Sequence, residues 1–245
     1  MWTQPPDTTP ETPTDSEIQR ILDNIQSSSN ITAARRNACK AAAQVMLEKG
    51  FAPAFVAGML ANVCKEGNTG QFESSAYTTN PEPDYLVYMD KNYNYRSEYS
   101  SKYIYNKNVN TVYDILTTLK TSSNNTWKIN GSRVGFGLGS VQWTFIRTYT
   151  LVGMYLEVNG QNNAITIDQA IQAECEMIAY ELKDGDFKSV YVDWQKDNAA
   201  NLNSQTAVYN AGYTICAKYE KPGGGATAAN TRGNLAKLIY ADIMK

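Results

Sequence analysis

Apolar residues recur every three or four positions along most of the chain, which is the spacing of an α-helix with one buried face. The first such run has four members: Ile18, Ile21, Leu22 and Ile25. A second run covers residues 33–49, with Thr32 as the expected N-cap and Gly50 as the expected stop. Both runs predict amphipathic helices.

A third run, PAFVAGMLANVCKE, differs because small and apolar residues lie on nearly every side of it. Pro53 fits its first turn, and Gly67 and Gly70 are expected to stop it after Glu66. We expect this helix to be buried and to hold Glu66 on a rigid element at the edge of the core. A carboxylic acid in such a setting can remain protonated at neutral pH.

The middle of the chain is less periodic. Residues 77–113 contain nine tyrosines and predict a long ordered loop with short helical pieces, one of them at 85–90. Its Tyr rings could stack on sugars or simply pin the loop to the core. A helix is expected at about 109–120. Asn130 and Gly131 then lie between short β-prone runs and predict a type I′ hairpin.

The hairpin leads into GFGLGSVQWT, in which glycines alternate before a helix that runs to about Val158. A dinucleotide fingerprint is excluded because Ser140 occupies the position of its last glycine and no parallel strand precedes the motif. The glycines indicate a tight turn or a backbone that approaches a ligand closely.

The last third of the chain is helical by pattern. Thr166 is the expected cap of a helix ending at Gly185, and further helices are expected within 189–203, from 204 to Pro222, and over 226–245. The first of these four has six apolar residues broadly on one face: Ile167, Ala170, Ile171, Met177, Ile178 and Leu182. The fold class is therefore mainly α (α+β), with eight or nine helices and one small β-hairpin.

The N-terminal residues 1–14 mix Pro, Thr and acids without periodicity, so we expect a disordered linker, tethered to a further domain upstream. Residues 15–245 are expected to form one folded domain. No apolar run approaches the roughly 18 residues of a membrane span, and no signal peptide is recognisable. With a net charge of −2 and no basic cluster, nucleic acid is not an expected partner.

Of all the composition data, the complete absence of histidine excludes the most catalytic mechanisms. It excludes Ser-His-Asp and Cys-His catalysis and the His-ligated zinc of metallopeptidases. The four cysteines are Cys39, Cys64, Cys175 and Cys216, and they include no CxxC pair. A metal site is therefore not expected, while disulfides and buried free thiols both remain open.

Any chemistry must then rely on carboxylates, Tyr, Lys, Cys or backbone groups. Glu66 precedes a loop rich in Gly, Asn and Thr, and Glu73 follows seven residues later. This arrangement suggests a general acid with a polar cleft in front of it. The alternatives are a solvated acid at a helix end for Glu66, and a surface acid bonded to loop amides for Glu73.

Three blocks now point in one direction: ANVCKEGNTGQFESSAY, FGLGSVQWT, and the late AVYNAGY followed by YEKP. Together they resemble the lysozyme superfamily, and within it the phage tail-tip lysozyme family with its relatives among cell-wall hydrolases of Gram-positive bacteria. The resemblance covers about residues 35–243 and implies a lysozyme-like catalytic domain that cleaves peptidoglycan between N-acetylmuramic acid and N-acetylglucosamine. It also implies action outside the cell, secreted or in a phage tail, without a cofactor.

By the same resemblance, Glu66 matches the catalytic general acid and Glu73 stands near the second acid of phage-type lysozymes. Thr78 or Thr79 follows at about the spacing of their water-positioning Thr. GLGSVQ and VYNAG are also similar to motifs of lytic transglycosylases, which use a single Glu and form an anhydro ring. In that reading Gln142 binds substrate and Tyr209 orients Glu66. Val141 and Val208 depart from the transglycosylase motifs.

For Gln142, Trp143 and Tyr209, contact with N-acetyl groups or sugar faces competes with turn packing and core burial. Arg147 and Arg232 are expected to be charges on helix surfaces. A second class of function also stays open, namely an inactive peptidoglycan-binding or structural tail module that has kept the fold.

Overall fold

The structure is a computed structural model, and it describes residues 13–66, 69, 88–89, 95–96, 128–129, 132–133, 139–141, 143, 146–160 and 166–245. This part of the chain is mainly helical, as predicted. Its α-helices are α1 (Asp15–Ser27), α2 (Arg36–Glu48), α3 (Pro53–Val63), α4 (Ile146–Asn159), α5 (Ile167–Lys183), α6 (Lys188–Asp197), α7 (Gln205–Thr214) and α8 (Gly225–Ile243). A 3₁₀ turn at Ala33–Arg35 precedes α2, and a π-helical turn at Ile215–Glu220 follows α7.

The chain divides into two compact units. The first consists of Met1–Lys65 and Ala179–Lys245, and the second of Glu66–Ile178. The single domain expected over residues 15–245 stays a prediction. None of the described helices is both long and apolar enough to cross a membrane.

In the first unit, α3 packs against α7 and α8. Every residue from Ala54 to Val63 is buried, which confirms the prediction of a helix enclosed on all sides. Glycine permits the close approach, because a Cβ on Gly58 would lie 2.6 Å from the Cβ of Ala211. Similarly, a Cβ on Gly212 would lie 2.7 Å from the carbonyl oxygen of Arg232. The backbones of these three helices are therefore nearly in contact.

An aromatic cluster closes the other end of α3. The Phe55 ring lies 4.7 Å from Tyr191 and 5.1 Å from Trp194, measured between centroids. The indole N–H of Trp194 donates to the carbonyl of Ala207 at 2.8 Å. Since large rings dominate core energetics and the polar N–H is satisfied, the cluster fixes α6 against α3 and α7.

Local capping explains where several helices begin. At α5, the Thr166 hydroxyl accepts from the Gln169 N–H at 3.2 Å, while the Gln169 side chain accepts from the Thr166 N–H at 2.9 Å. This reciprocal pair confirms Thr166 as the cap. Gly50 ends the α2 segment with a φ of 77°, as expected of a left-handed stop. Thr32, in contrast, makes no side-chain capping bond, because it precedes the 3₁₀ turn and not the α-helix itself.

Two short antiparallel ladders are described. Lys128–Ile129 (β3) pairs with Ser132–Arg133 (β4), which confirms the hairpin expected around Asn130 and Gly131. Tyr88–Met89 (β1) pairs with Tyr95–Arg96 (β2), so the short helical piece expected at 85–90 is wrong. Tyr favours extended backbone, and an aperiodic stretch has no apolar face to hold a helix. The helix expected at 109–120 lies outside the described residues.

Two further expectations need correction. The helix expected to reach Glu66 ends at Val63, and Cys64 and Lys65 form a turn before Glu66. Ile167, expected on the buried face of α5, is 54 % exposed, because it is the first residue of the helix and precedes the turns that pack. The remaining five apolar residues named for this helix are buried.

All four cysteines carry free thiols. The sulfurs of Cys39 and Cys64 lie 3.7 Å apart, and Cys39, Cys175 and Cys216 are buried. Of the two alternatives left open by the sequence, disulfides and free thiols, the structure has free thiols.

Candidate active site

Glu66 follows the end of α3 by three residues and is half-buried. It therefore lies past the helix, in the chain that leaves its C-terminal turn. Lys65 beside it is exposed, so its ammonium group is available to solvent. Half-burial leaves Glu66 partly accessible, and access to the substrate is what a general acid requires.

The last turn of α3 is anchored by Asn62, which is fully buried. Its amide nitrogen donates to the carbonyl of Gly58 at 2.9 Å and to the carbonyl of Gly212 at 3.1 Å. The second bond ties α3 to α7. A buried amide held by two backbone carbonyls limits the movement of the helix end from which the chain continues to Glu66.

The GLGSVQWT motif contains a turn in the second unit. Gly139 has a φ of 72°, and a Cβ there would lie 2.5 Å from Cζ3 of Trp143 and 3.1 Å from Cδ of Glu174. Only glycine combines this backbone conformation with this closeness. The tight turn that the sequence indicated is therefore present at Gly139.

A buried carboxylate holds the same turn. Oε2 of Glu174, on α5, accepts from the backbone N–H of Ser140 at 3.1 Å and from its hydroxyl at 3.0 Å. Oε1 accepts from the hydroxyl of Tyr155, on α4, at 3.3 Å. Glu174 and Tyr155 are fully buried and Ser140 is 3 % exposed. The acid thereby joins the turn to two helices.

The environment keeps Tyr155 in its neutral form. Burial raises its pKa well above the usual value, and the negative charge of Glu174 raises it further. Burial likewise raises the pKa of the neighbouring Cys175 thiol. A phenol that stays protonated remains a donor to Glu174 over the whole physiological range.

Trp143 is fully buried against Gly139. This is what the packing alternative predicted for its ring, and it makes the indole a support for the turn. Val141, between Ser140 and Gln142 in the chain, is also buried, at 8 % exposure. Gln142 is thus bracketed in sequence by two core residues.

Tyr209 lies on α7 and is half-buried. Its hydroxyl donates to Oδ1 of Asn230 at 2.6 Å, its ring stacks on Tyr213 at 6.1 Å between centroids, and the Lys237 ammonium lies 5.6 Å above it. A Cβ on Gly233 would lie 2.7 Å from this ring, so the ring rests on the backbone of α8. The orientation of Glu66 by Tyr209 remains a prediction.

Four of the remaining candidate residues belong to the part of the chain that the structure does not describe. Glu73, Thr78, Thr79 and Gln142 lie outside the described residues, and their roles stay predictions. Arg147 and Arg232, expected to be charges on helix surfaces, are both half-buried.

Glu174 was not among the sequence candidates, although the sequence contained a signal for it. It lies three residues after Ile171 and three before Met177, inside the apolar stripe of α5. An ionisable residue in such a stripe needs a buried partner, because an unpaired buried charge is costly. Glu181 repeats this pattern seven residues later, and its Oε2 accepts from the hydroxyl of Tyr219 at 2.6 Å.

Comparison with known protein families identifies a matching family. A family model described as phage tail lysozyme matches residues 37–243, a range that includes Glu66, the Gly139 turn and Tyr209. No curated protein and no solved structure gives a significant match. Since the matched range is most of the chain, the protein belongs to the phage tail lysozyme family.

Proposed function

We propose that this protein is a muramidase that hydrolyses the glycan strand of peptidoglycan between N-acetylmuramic acid and N-acetylglucosamine, with Glu66 as its general acid. Membership of the family implies a lysozyme-type enzyme that degrades peptidoglycan. The finer assignment is supported by one observation: helix α3, which is buried from Ala54 to Val63, leads within three residues to a half-buried acid, Glu66.

The chemistry suits such an acid. A glycosidic bond breaks when the leaving oxygen is protonated as the sugar develops oxocarbenium character. The donor must be protonated at working pH and must be held within reach of that oxygen. The anchoring of α3 through Asn62 supports the second requirement, because it fixes the backbone that leads to Glu66.

The second half of the reaction needs a group that handles water. We assign this to Glu73, acting as a base or as a stabiliser of positive charge, with Thr78 or Thr79 positioning the water. In inverting glycosidases the two carboxyl groups lie roughly 6.5–9.5 Å apart to leave room for that water. Gln142 is the proposed substrate contact of the GLGSVQWT motif, supported from the core by Trp143, and Tyr209 is proposed to orient Glu66.

The runner-up is a lytic transglycosylase, in which a hydroxyl of the muramoyl sugar replaces water and an anhydro end forms. The observation that favours it is the GLGSVQ turn itself, held by Glu174 and Trp143. In both reactions the partner is peptidoglycan, and the protein is proposed to act outside the host cytoplasm, as part of a phage tail or as a secreted enzyme.

Product analysis tests this proposal. Purified peptidoglycan is incubated with the protein, and the released fragments are identified by mass spectrometry. Fragments with reducing N-acetylmuramic acid ends are the expected result. Fragments with anhydro ends would show that the protein is a lytic transglycosylase and not a hydrolase. If nothing is released while the protein still binds and sediments with peptidoglycan, it is a binding or structural module and the enzyme proposal is wrong.

A further inference from the structure

We propose that Cys39 and Cys64 form a redox site, the thiol pair, which reacts with small disulfides and closes into a disulfide bond that ties the end of α3 to α2. The structure holds the pair in its reduced state. The reaction needs neither Glu66 nor peptidoglycan, so the site is independent of the proposed function.

The packing of α2 against α3 brings the two thiols together. Cys39 lies near the start of α2 and is fully buried, while Cys64 directly follows α3 and is half-buried. Their sulfurs lie 3.7 Å apart, although the residues are 25 positions apart in sequence. Since the sulfurs of a disulfide bond lie about 2.05 Å apart, closure requires an approach of about 1.7 Å. Cys64 lies in the turn past the helix, and we expect rotation of its side chain there to supply this movement.

The two thiols differ in the way that an attacking and a resolving cysteine differ. The hydrogen bond with Cys39 lowers the pKa of Cys64, and the positive charges of Arg35 and Lys65 lower it further, while partial burial opposes them. Cys64 is also the partly accessible member of the pair. A cysteine with a lowered pKa that solvent can reach and that has a second thiol beside it is the arrangement of redox-sensitive sites. Cys64 is therefore the attacking thiol and Cys39 the resolving thiol.

The oxidant is a small disulfide such as oxidised glutathione, and the exchange has two steps. The Cys64 thiolate attacks one sulfur of the small disulfide, so that a mixed disulfide forms and one small thiolate leaves. The Cys39 sulfur then attacks the sulfur of Cys64, the protein disulfide forms, and the second small thiolate leaves. The two departing thiolates take up the protons of the two cysteines. The protein thereby loses two electrons and two hydrogens, and the small disulfide is reduced to two thiols.

Closure has a structural consequence within the first unit. The new bond closes the loop of residues 39–64 and restricts the unfolded chain, which stabilises the folded state. Oxidising surroundings outside cells favour such a bond, whereas the cytosol keeps thiols reduced. The thiol pair therefore makes the attachment of α3 to α2 sensitive to the redox state of the surroundings.

The experiment treats the reduced native protein with oxidised glutathione at about pH 8, near the usual pKa of a thiol. Intact-mass spectrometry is expected to show a loss of two hydrogens with no glutathione retained. Trypsin cleaves after Arg36, Lys40, Lys49 and Lys65, so digestion without reductant should link the peptides of residues 37–40 and 50–65. The melting temperature should rise by about 5–10 °C, and dithiothreitol should reverse both changes.

Single substitutions separate the roles of the two thiols. Cys39→Ala lacks the resolving thiol and should retain one glutathione on Cys64. Cys64→Ala lacks the attacking thiol, and it should react at least about tenfold more slowly because Cys39 is buried. Cys216→Ala is the matched control, since it removes a buried thiol of the same unit and leaves the thiol pair intact. It should close as the wild type does.

Three results would overturn the proposal. In the first, wild-type protein that is still folded by circular dichroism keeps glutathione on Cys64, which would show that Cys39 cannot reach the mixed disulfide. In the second, the mass does not change, or the linked peptides contain Cys175 or Cys216. In the third, the Cys39–Cys64 bond forms but the melting temperature does not rise, so the bond does not secure α3 to α2.

Discussion

The Trp143 ring lies directly against Gly139, with no room for a methyl group between them: a Cβ on Gly139 would lie 2.5 Å from Cζ3 and 2.8 Å from Cε3 of the indole. The same glycine has a φ of 72°, which other residues adopt only with strain. The turn that carries the GLGSVQWT motif therefore depends on these two residues together.

Gly139→Ala is accordingly expected to destabilise the protein by about 1–3 kcal/mol, the usual cost of overpacking a filled site. Thermal unfolding followed by circular dichroism measures this. Gly223→Ala is the control, since nothing lies within 4 Å of a Cβ at Gly223. Equal melting temperatures for the two variants would show that the turn adapts and that the contact with Trp143 does not constrain it.

The cysteines are expected to differ in reactivity. Cys64 is half-buried, and its pKa is lowered by the hydrogen bond with Cys39 and, to a smaller extent, by the charges of Arg35 and Lys65. Cys175 is buried and its pKa is raised. Because the thiolate is the nucleophile, iodoacetamide at about pH 8 should alkylate Cys64 first in the native protein.

Peptide mass spectrometry at successive times gives the order of labelling. A sample unfolded in urea serves as the control, in which all four cysteines should react at similar rates. If Cys175 is labelled as fast as Cys64 in the native protein, then the second unit opens more readily than its burial implies.

Asp242 makes stability depend on pH. Its pKa is lowered to about 2 by hydrogen bonds from Lys245 first and then from Ser28 and Asn30, at 2.8, 2.7 and 2.9 Å. An unfolded Asp titrates near 3.9. The stabilisation is therefore fully present above about pH 4 and is lost as the pH falls from about 4 through about 2.

Asp242→Asn should consequently lower stability at neutral pH by about 1 kcal/mol or less, as is typical of partly exposed charged pairs, and the difference should vanish near pH 2. Melting temperatures of both proteins across this range provide the measurement. Asp193→Asn is the control, because Asp193 forms only an exposed pair with Lys218 at 3.8 Å. A difference that is constant with pH would contradict the role of the Asp242 charge.

Local features of this fold could be predicted from the sequence. Thr166 with Gln169 three residues later is a capping signature, Asn130-Gly131 is a hairpin signature, and the composition of α3 indicates burial on all sides. In each case the deciding interactions lie within a few residues or depend only on which residues are apolar. The local sequence pattern alone was therefore sufficient to predict these three features.

Features set by distant partners could not be predicted. The end of α3 at Val63 and the burial of Trp143 depend on packing that no local pattern encodes. The role of Glu174 depends on Ser140, which is 34 residues away in sequence. The apolar stripe indicated that this acid would be buried, but only the structure identifies its donors. The assignments of Glu73, Thr78, Thr79 and Gln142 stay predictions.

The role of Glu66 is tested most directly by the rate at which Glu66→Gln releases fragments from purified peptidoglycan. The amide has nearly the same shape but has no acidic proton to give, so the rate should fall by about 10²–10⁴-fold while binding to peptidoglycan is retained. Glu157→Gln, which changes an exposed acid of α4, should retain the wild-type rate. Release by Glu66→Gln at the wild-type rate would show that Glu66 is not the general acid.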